Sequence, residues 1–126
     1  MGMIVKMSKI YSIEEAQREV SPGVRTLTAL VGKRTGNEKM AAIIVEYEPG
    51  VEPGGIHYHE RRESAYIALE GSATISLNGE EQEITAGTVV NLTPGDPHGF
   101  VKVGPDGFKM IEVWAPLDPD IVYVDK

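Results

Sequence analysis

The stretch PGGIHYHERRESAYIALEG, at residues 53–71, decides how the rest of the chain is interpreted. Its two histidines, His57 and His59, lie two positions apart, so on a strand both imidazoles project to the same face. Glu63 follows four positions after His59 and keeps that face if the strand stays regular. Glycines at positions 54 and 55 allow a sharp change of backbone direction just before the pair. The stretch therefore predicts a turn and a strand that present two imidazoles and a carboxylate together.

The third and last histidine of the chain, His98, follows the sequence Thr-Pro-Gly-Asp-Pro at residues 93–97. A turn of that composition would deliver His98 to the end of a strand. Three neutral imidazoles and one carboxylate form a nitrogen and oxygen ligand set suited to one divalent transition metal ion, namely Fe, Mn, Ni, Zn or Cu. His57, His59, Glu63 and His98 are thus the candidate metal ligands. An H-x-H pair alone is a common pattern, and it is the turns around it that favour a site.

Outside these stretches the pattern is strand, turn, strand. Runs rich in β-branched and aromatic residues are separated by glycine and proline turns, and Asn78-Gly79 is a strong hairpin signal. The predicted strands cover residues 3–7, 24–31, 40–47, 64–69, 73–77, 82–85, 88–92, 98–103, 108–115 and 121–124, with a further hairpin loop at 104–107. Ser12 and Glu15 have the spacing of a capping box, which predicts a short helical turn running to about Glu19. The fold class is therefore all-β, a sandwich or barrel of short strands with one N-terminal helical turn.

Composition narrows the partners and the compartment. The 126 residues carry a net charge of −7. They include no cysteine, which excludes thiolate metal sites and disulfide scaffolds. No basic run supports nucleic-acid binding, and no apolar stretch approaches the roughly 18 residues of a membrane span. We expect a soluble cytoplasmic protein of one domain, residues 1–126, that binds a small-molecule ligand and neither nucleic acid nor membrane. Apolar segments at 3–7 and 121–124 suggest a homodimer that exchanges edge strands.

Two stretches resemble the conserved motifs of the cupin superfamily. Residues 53–71 are similar to the first motif: H-x-H, three or four residues, Glu, six residues, Gly. Residues 87–100, GTVVNLTPGDPHGF, are similar to the second: Gly, five residues, Pro, any residue, Gly, two residues, His. The resemblance implies a jelly-roll, or double-stranded β-helix, barrel. It also carries the ligand roles over to His57, His59, Glu63 and His98.

The chain departs from the first motif by one residue. Counting forward from His59 puts Glu63 in the carboxylate position, whereas counting back from Gly71 puts Ser64 there. We prefer Glu63, because a carboxylate is the better ligand, and expect a β-bulge or longer turn between Ala65 and Glu70 to absorb the extra residue. Lys102 replaces the asparagine often found after the second motif.

The resemblance leaves the activity open. A metal-dependent enzyme acting on a small, oxygen-rich metabolite, of the dioxygenase, decarboxylase or isomerase type, is the first hypothesis. A non-catalytic cupin that binds a metal or small ligand is the second. An enzyme needs a further proton-transfer group, and with every histidine used, Glu112 or Lys102 are the candidates. By strand parity Phe100 and Lys102 share the face of His98, while Tyr58 and Tyr66 are expected to point away from the ligands.

Overall fold

The computed structural model describes residues 8–124, and the predicted strand at 3–7 lies outside them. The described residues form nine strands with two short 3-10 helices, Ile13–Glu15 and Lys33–Thr35. The strands are β1 (Arg18–Ser21), β2 (Arg25–Val31), β3 (Ala41–Tyr47), β4 (Gly54–Tyr58), β5 (Glu63–Leu77), β6 (Glu80–Thr85), β7 (Val89–Leu92), β8 (His98–Ala115) and β9 (Val122–Tyr123). The all-β jelly roll with an N-terminal helical turn is confirmed.

Two long, bent strands connect the two layers of the sandwich. The first part of β5 pairs with the end of β8 and with β7, while the second part pairs with the start of β8 and with β6. The order β1-β2-β3-β8 continues the first layer, and β8-β4-β9 continues the second. Strands that pass from one sheet to the other at bends are the usual way to close a sandwich corner. The two layers enclose the core and, at one end, the histidines.

The bend explains two sequence features. Gly71 has a φ of +77°, and a Cβ at this position would lie 2.0 Å from the carbonyl oxygen of Gly107. Only glycine lets the two backbones approach so closely. Residues 104–107 lie where β5 and β8 approach each other so closely. They are a bulge of β8 between the pairs Gly71↔Phe108 and Ala73↔Val103. The predicted hairpin loop at 104–107 is therefore wrong, because both halves of β8 run in one direction along β5.

A register shift between Ala68 and Glu70 confirms the β-bulge expected there. It reverses which residues face inward: Tyr66 and Ala68 are buried before the bulge, and Ala73 and Ile75 after it. These side chains join one apolar cluster with residues of β3, β6, β7 and β8. Burying a large apolar side chain contributes about 1.5–3 kcal/mol to folding, so this cluster is what holds the layers together.

The termini of the described chain differ from the sequence predictions. The capping interaction is present, with the Ser12 hydroxyl accepting from the Glu14 amide at 3.1 Å, but the helix ends at Glu15 and β1 begins at Arg18. The prediction of a helix to Glu19 is wrong because β1 pairs with β2. At the other end β9 pairs with β4 of its own chain rather than standing free for exchange. Within residues 8–124 there is no helix with the length and apolar character needed to cross a membrane.

Candidate metal centre and its cavity

Pairing of β4 with β8 brings the three histidines together. His57 is the register partner of His98, although the two lie 41 positions apart, and His59 begins the turn that follows β4. The ring centroids are 4.5 Å apart for His57 and His98, 5.1 Å for His57 and His59, and 5.3 Å for His59 and His98. One ring nitrogen from each lies within 4.8 Å of the others. The backbone of the second motif is tied to the first, since the Gly95 amide donates to the His59 carbonyl at 2.8 Å.

Each histidine contacts a backbone carbonyl through Nδ1. The acceptors are the carbonyls of Gly55 for His57, at 2.7 Å, of Asp96 for His98, at 2.8 Å, and of Asp120 for His59. A carbonyl can only accept, so each Nδ1 must carry the proton and each Nε2 must keep its lone pair. The buried Nε2 of His98 has no hydrogen-bond partner in the protein. Hydrogen bonds of this kind from Nδ1 to a carbonyl orient the rings of metal-binding histidines and fix their tautomer.

Burial also favours the neutral form of the His59 and His98 rings. His98 is 1% exposed, and loss of hydration lowers its pKa to about 4, with the neighbouring His57 and His59 lowering it further. Burial likewise lowers the pKa of His59 below its usual value. Neutral imidazole is the form that binds metal, so these two rings are ready to hold an ion near neutral pH.

Glu63 is not part of this cluster. The turn at residues 60–62 interrupts the strand, so parity does not carry over from His59, and Glu63 opens β5 with an exposed side chain. Its neighbour Ser64 faces inward, is 5% exposed and has an Oγ without a hydrogen-bond partner. The structure thus brings together three of the four predicted ligands and places Ser64 on the barrel side, where the alternative count puts it. The four-ligand set stays a prediction.

Asp120 supports the site, although nothing in the sequence analysis points to it. Its two carboxylate oxygens accept the backbone amides of Glu60, Arg61 and Arg62 at 2.7–2.9 Å, and these hydrogen bonds lower its pKa to about 2. Its own carbonyl accepts from Nδ1 of His59. One residue of the C-terminal segment therefore fixes both the turn after the H-x-H pair and the orientation of one ring. No sequence motif marks a contact across 61 positions.

A cavity of about 400 Å³ opens beside the histidines, lined among others by His57, His59, Tyr66 and Phe100. The expectation that Tyr66 points away from the ligands is wrong: it is 6% exposed, and its ring centroid lies 6.2 Å from that of His98. Phe100 shares the face as predicted. Lys102, in contrast, is exposed and borders a different pocket, because the bulges of β5 and β8 shift the register beyond Phe100. Lys102 is therefore removed from the candidate proton-transfer groups.

Glu112 does line the cavity. It lies in the middle of the inner face, with Ile43 and Tyr66 as its register partners on the two flanking strands. Burial raises its pKa to about 7, although Arg62 and Arg25 act in the opposite direction. A carboxyl group with that pKa exchanges protons near neutral pH. Burial raises the pKa of the Tyr66 hydroxyl well above its usual value, so that hydroxyl stays protonated.

Fold and site together define a jelly-roll protein whose inward histidine cluster could hold a metal ion. The chain belongs to the Cupin domain family, whose sequence profile matches residues 43–114, more than half of the chain.

Individual relatives include an enzyme and a regulator. Dimethylsulfoniopropionate lyase DddW of Ruegeria pomeroyi is 33% identical over 88 residues, 68% of this chain and 55% of that protein. HTH-type transcriptional regulator PuuR of Escherichia coli is 28% identical over 87 residues, 69% of this chain and 46% of that protein. The chain spans about half the length of the curated relatives it matches.

Solved structures match over nearly the whole chain. The polyketide cyclase RemF from Streptomyces resistomycificus has a TM-score of 0.78 at 27% identity, covering 95% of this chain and 87% of that one. KdgF from Halomonas sp. has a TM-score of 0.74 at 21% identity, covering 89% and 96%. The second likeness supports the fold alone, and both agree with the two-layer architecture.

Proposed function

We propose that this cupin is a metal-dependent enzyme that acts on a small, oxygen-rich metabolite inside the barrel. His57, His59 and His98 hold one divalent transition metal ion (Fe, Mn, Ni, Zn or Cu) through their Nε2 atoms. The observation that carries the proposal is the set of three Nδ1 contacts to backbone carbonyls. They leave the Nε2 atoms free, that of His98 buried without a partner, and one ring nitrogen of each histidine lies within 4.8 Å of the others.

A bound ion would supply Lewis-acid chemistry, polarising a carboxylate or carbonyl oxygen of the substrate. The protein's own residues do the rest. Apolar and aromatic walls, including Phe100 and Met110, exclude water from the inner end of the cavity. Glu112 is the acid-base group, because it lines the same cavity and its carboxyl group releases or accepts a proton near pH 7. The Tyr66 hydroxyl, protonated throughout, is a hydrogen-bond donor beside it.

Metal content tests the ligand set directly. Protein purified without a polyhistidine tag is analysed by inductively coupled plasma mass spectrometry, and affinity is then measured by titration of the metal-free chain. We expect near one equivalent in the wild type and strong loss in His59→Ala and His98→Ala, since each removes one ligand. The matched control is Glu63→Gln, which should keep its metal. Full occupancy in His98→Ala would refute the three-histidine site, and loss in Glu63→Gln would restore the carboxylate to the ligand set.

Catalysis is tested separately from binding. Metal-loaded protein is screened for conversion of small carboxylates, diketones and thiols, with dioxygen uptake followed in parallel. With a metal and a substrate that together give turnover, Glu112→Gln should reduce kcat at least about a hundred-fold. Metal affinity should stay unchanged, as expected for loss of a general acid or base. Equal kcat in the wild type and Glu112→Gln would remove Glu112 from the mechanism.

The second candidate is a non-catalytic cupin that binds a metal or a small ligand. The observation that favours it is the likeness to PuuR, a relative named as a transcriptional regulator, over 69% of the chain. A ligand that binds the metal-loaded protein tightly and is recovered unchanged, with no turnover by any screened compound of its class, would favour this candidate.

We also propose a homodimer. The outward face of the first layer carries the register partners Ile67 and Val89, which are 37% and 63% exposed, next to Leu69 at 37%. Exposed apolar residues grouped on one sheet face are typical of an interaction surface. Light scattering should give twice the chain mass of 13.7 kDa for the wild type. Ile67→Glu should give the monomer mass, with Glu83→Lys as a control elsewhere on the surface. A wild-type monomer would refute the dimer.

A further inference from the structure

The charged residues of the cavity have the opposite balance to the protein as a whole. The chain carries a net charge of −7, yet the charged side chains that line the cavity are Arg25, Arg62 and Glu112, two cations and one carboxyl group. A cleft of one sign with low-dielectric walls concentrates ligands of the opposite sign. The cavity is thus built for an anion inside an acidic protein.

Arg62 is the cation with a free donor. Its buried Nε has no hydrogen-bond partner, and its guanidinium lies over the Trp114 ring at 5.3 Å and donates to the Asp118 carbonyl at 3.4 Å. Its backbone amide is held by Asp120. Among residues 8–124, the ion pairs with N···O distances of 4.0 Å or less are those of Lys109, so neither Arg62 nor Glu112 is neutralised by such a pair. A buried donor left without an acceptor is costly unless a ligand supplies one.

We propose that the metabolite carries a carboxylate that Arg62 binds, while the rest of the molecule lies at the three histidines. This inference rests on the proposed function, since it names the substrate class of the same site. Arg62 lies three positions after His59 and lines the same cavity as His57, His59 and Glu112, so the guanidinium, these two histidines and the carboxyl group border one space. A planar guanidinium matches a carboxylate geometrically, and a cavity of about 400 Å³ limits the metabolite to a small one.

Arg25 adds a second positive charge to the cavity lining. It lies on β2 next to Tyr47, its register partner on β3. Because Glu112 is the single opposing carboxyl group in the lining, an anion is favoured over an uncharged ligand of the same shape.

The test uses the full chain loaded with Zn²⁺ and two probes of nearly equal shape, malonate and malonamide, measured by isothermal titration calorimetry. We expect malonate to bind at least about ten-fold more tightly than malonamide, and Arg62→Gln to remove about ten-fold or more of the malonate affinity. The matched control is Arg61→Gln. It removes the same charge from the adjacent exposed position and should leave the affinity within about two-fold.

Each outcome decides the inference. Equal affinity for the two probes, or equal losses in Arg61→Gln and Arg62→Gln, would overturn it. Tighter binding of inorganic phosphate than of malonate would overturn the assignment of a carboxylate. Arg62→Lys provides a second variant if Arg62→Gln unfolds: it keeps the charge but not the planar fork, and should retain only part of the affinity. A chain that binds no zinc, yet binds malonate through Arg62, would overturn the proposed metal enzyme and support anion recognition.

Discussion

Glu112 makes the stability of this protein depend on pH in a way that one substitution should remove. Burial raises its pKa from 4.5 to about 7, so the folded chain holds a proton that the unfolded chain has released. Below pH 4.5 the carboxyl group is protonated and uncharged in both states, so its burial carries no charge penalty. As pH rises from 4.5 to 7, the unfolded chain releases this proton while the folded chain keeps it, so stability falls; above pH 7 both states are ionised and the loss levels off. In Glu112→Gln, the amide has nearly the same shape and no charge to bury.

The magnitude follows from the two pKa values. At about 1.36 kcal/mol per pKa unit, a pKa raised from 4.5 to about 7 lowers the free energy of unfolding by about 3 kcal/mol at pH 8 and by less than about 1 kcal/mol at pH 5. Glu112→Gln should therefore be more stable than the wild type by about 3 kcal/mol at pH 8, with the gain fading toward pH 5. Natural domains have only about 5–15 kcal/mol in all, so the effect is large.

Urea unfolding followed by circular dichroism, at several pH values with chelator present, measures this difference. Chelator removes metal binding as a competing source of pH dependence, and titration of His98 cancels because both proteins contain it. The exposed Glu63→Gln is the control and should change little at any pH. A difference between Glu112→Gln and the wild type that is independent of pH, or that grows toward acid, would refute the buried carboxyl group.

Three further results are expected. Gly71→Ala should lower the free energy of unfolding by about 2–5 kcal/mol, measured with heat or urea, because of left-handed strain and overlap with Gly107. Gly87→Ala, at φ +91° with open space around it, should lower it by only about 1–2 kcal/mol. Equal losses would contradict the overlap. Asp120→Ala should weaken Zn²⁺ binding about ten-fold by loosening the turn at His59, with the exposed Asp118→Ala as control. Unchanged affinity would contradict the role of Asp120 in positioning His59. Zn²⁺ affinity should still be falling between about pH 6 and pH 4, because burial lowers the pKa of His98 to about 4 and protons compete for its ring only there; a fall that is complete by pH 6 would indicate a solvated His98.

The features that the sequence predicts correctly are local ones. The turn and hairpin at Asn78-Gly79 depend on the left-handed φ angles of two adjacent residues, +53° and +84°, which these residue types favour. His98 reaches the start of a strand because a Pro-Gly turn precedes it. The bounds of β2, β3 and β7 follow to within one residue from β-branched runs between such turns. Because each depends on a few neighbouring residues, composition and spacing are sufficient.

What only the tertiary structure decides is the direction in which residues face after an interruption. The turn after His59 resets the alternation, so Ser64 faces inward and Glu63 outward, and the bulge near Leu69 resets it again. The alternation of inward and outward side chains cannot be counted across such points, which is also why strand parity predicts the wrong face for Tyr66.

Long-range partners are equally invisible in a single sequence. The carbonyl of Asp120 selects the tautomer of His59, 61 positions away, and Glu112 acquires a pKa of about 7 only because β3 and β5 bury it from both sides. The sequence determined which side chains were available for a metal and which turns would present them. Packing of the two layers determined which of them meet, which lose their water and hence which protons they hold, because hydration and electrostatic energies depend on distance in space rather than on separation along the chain.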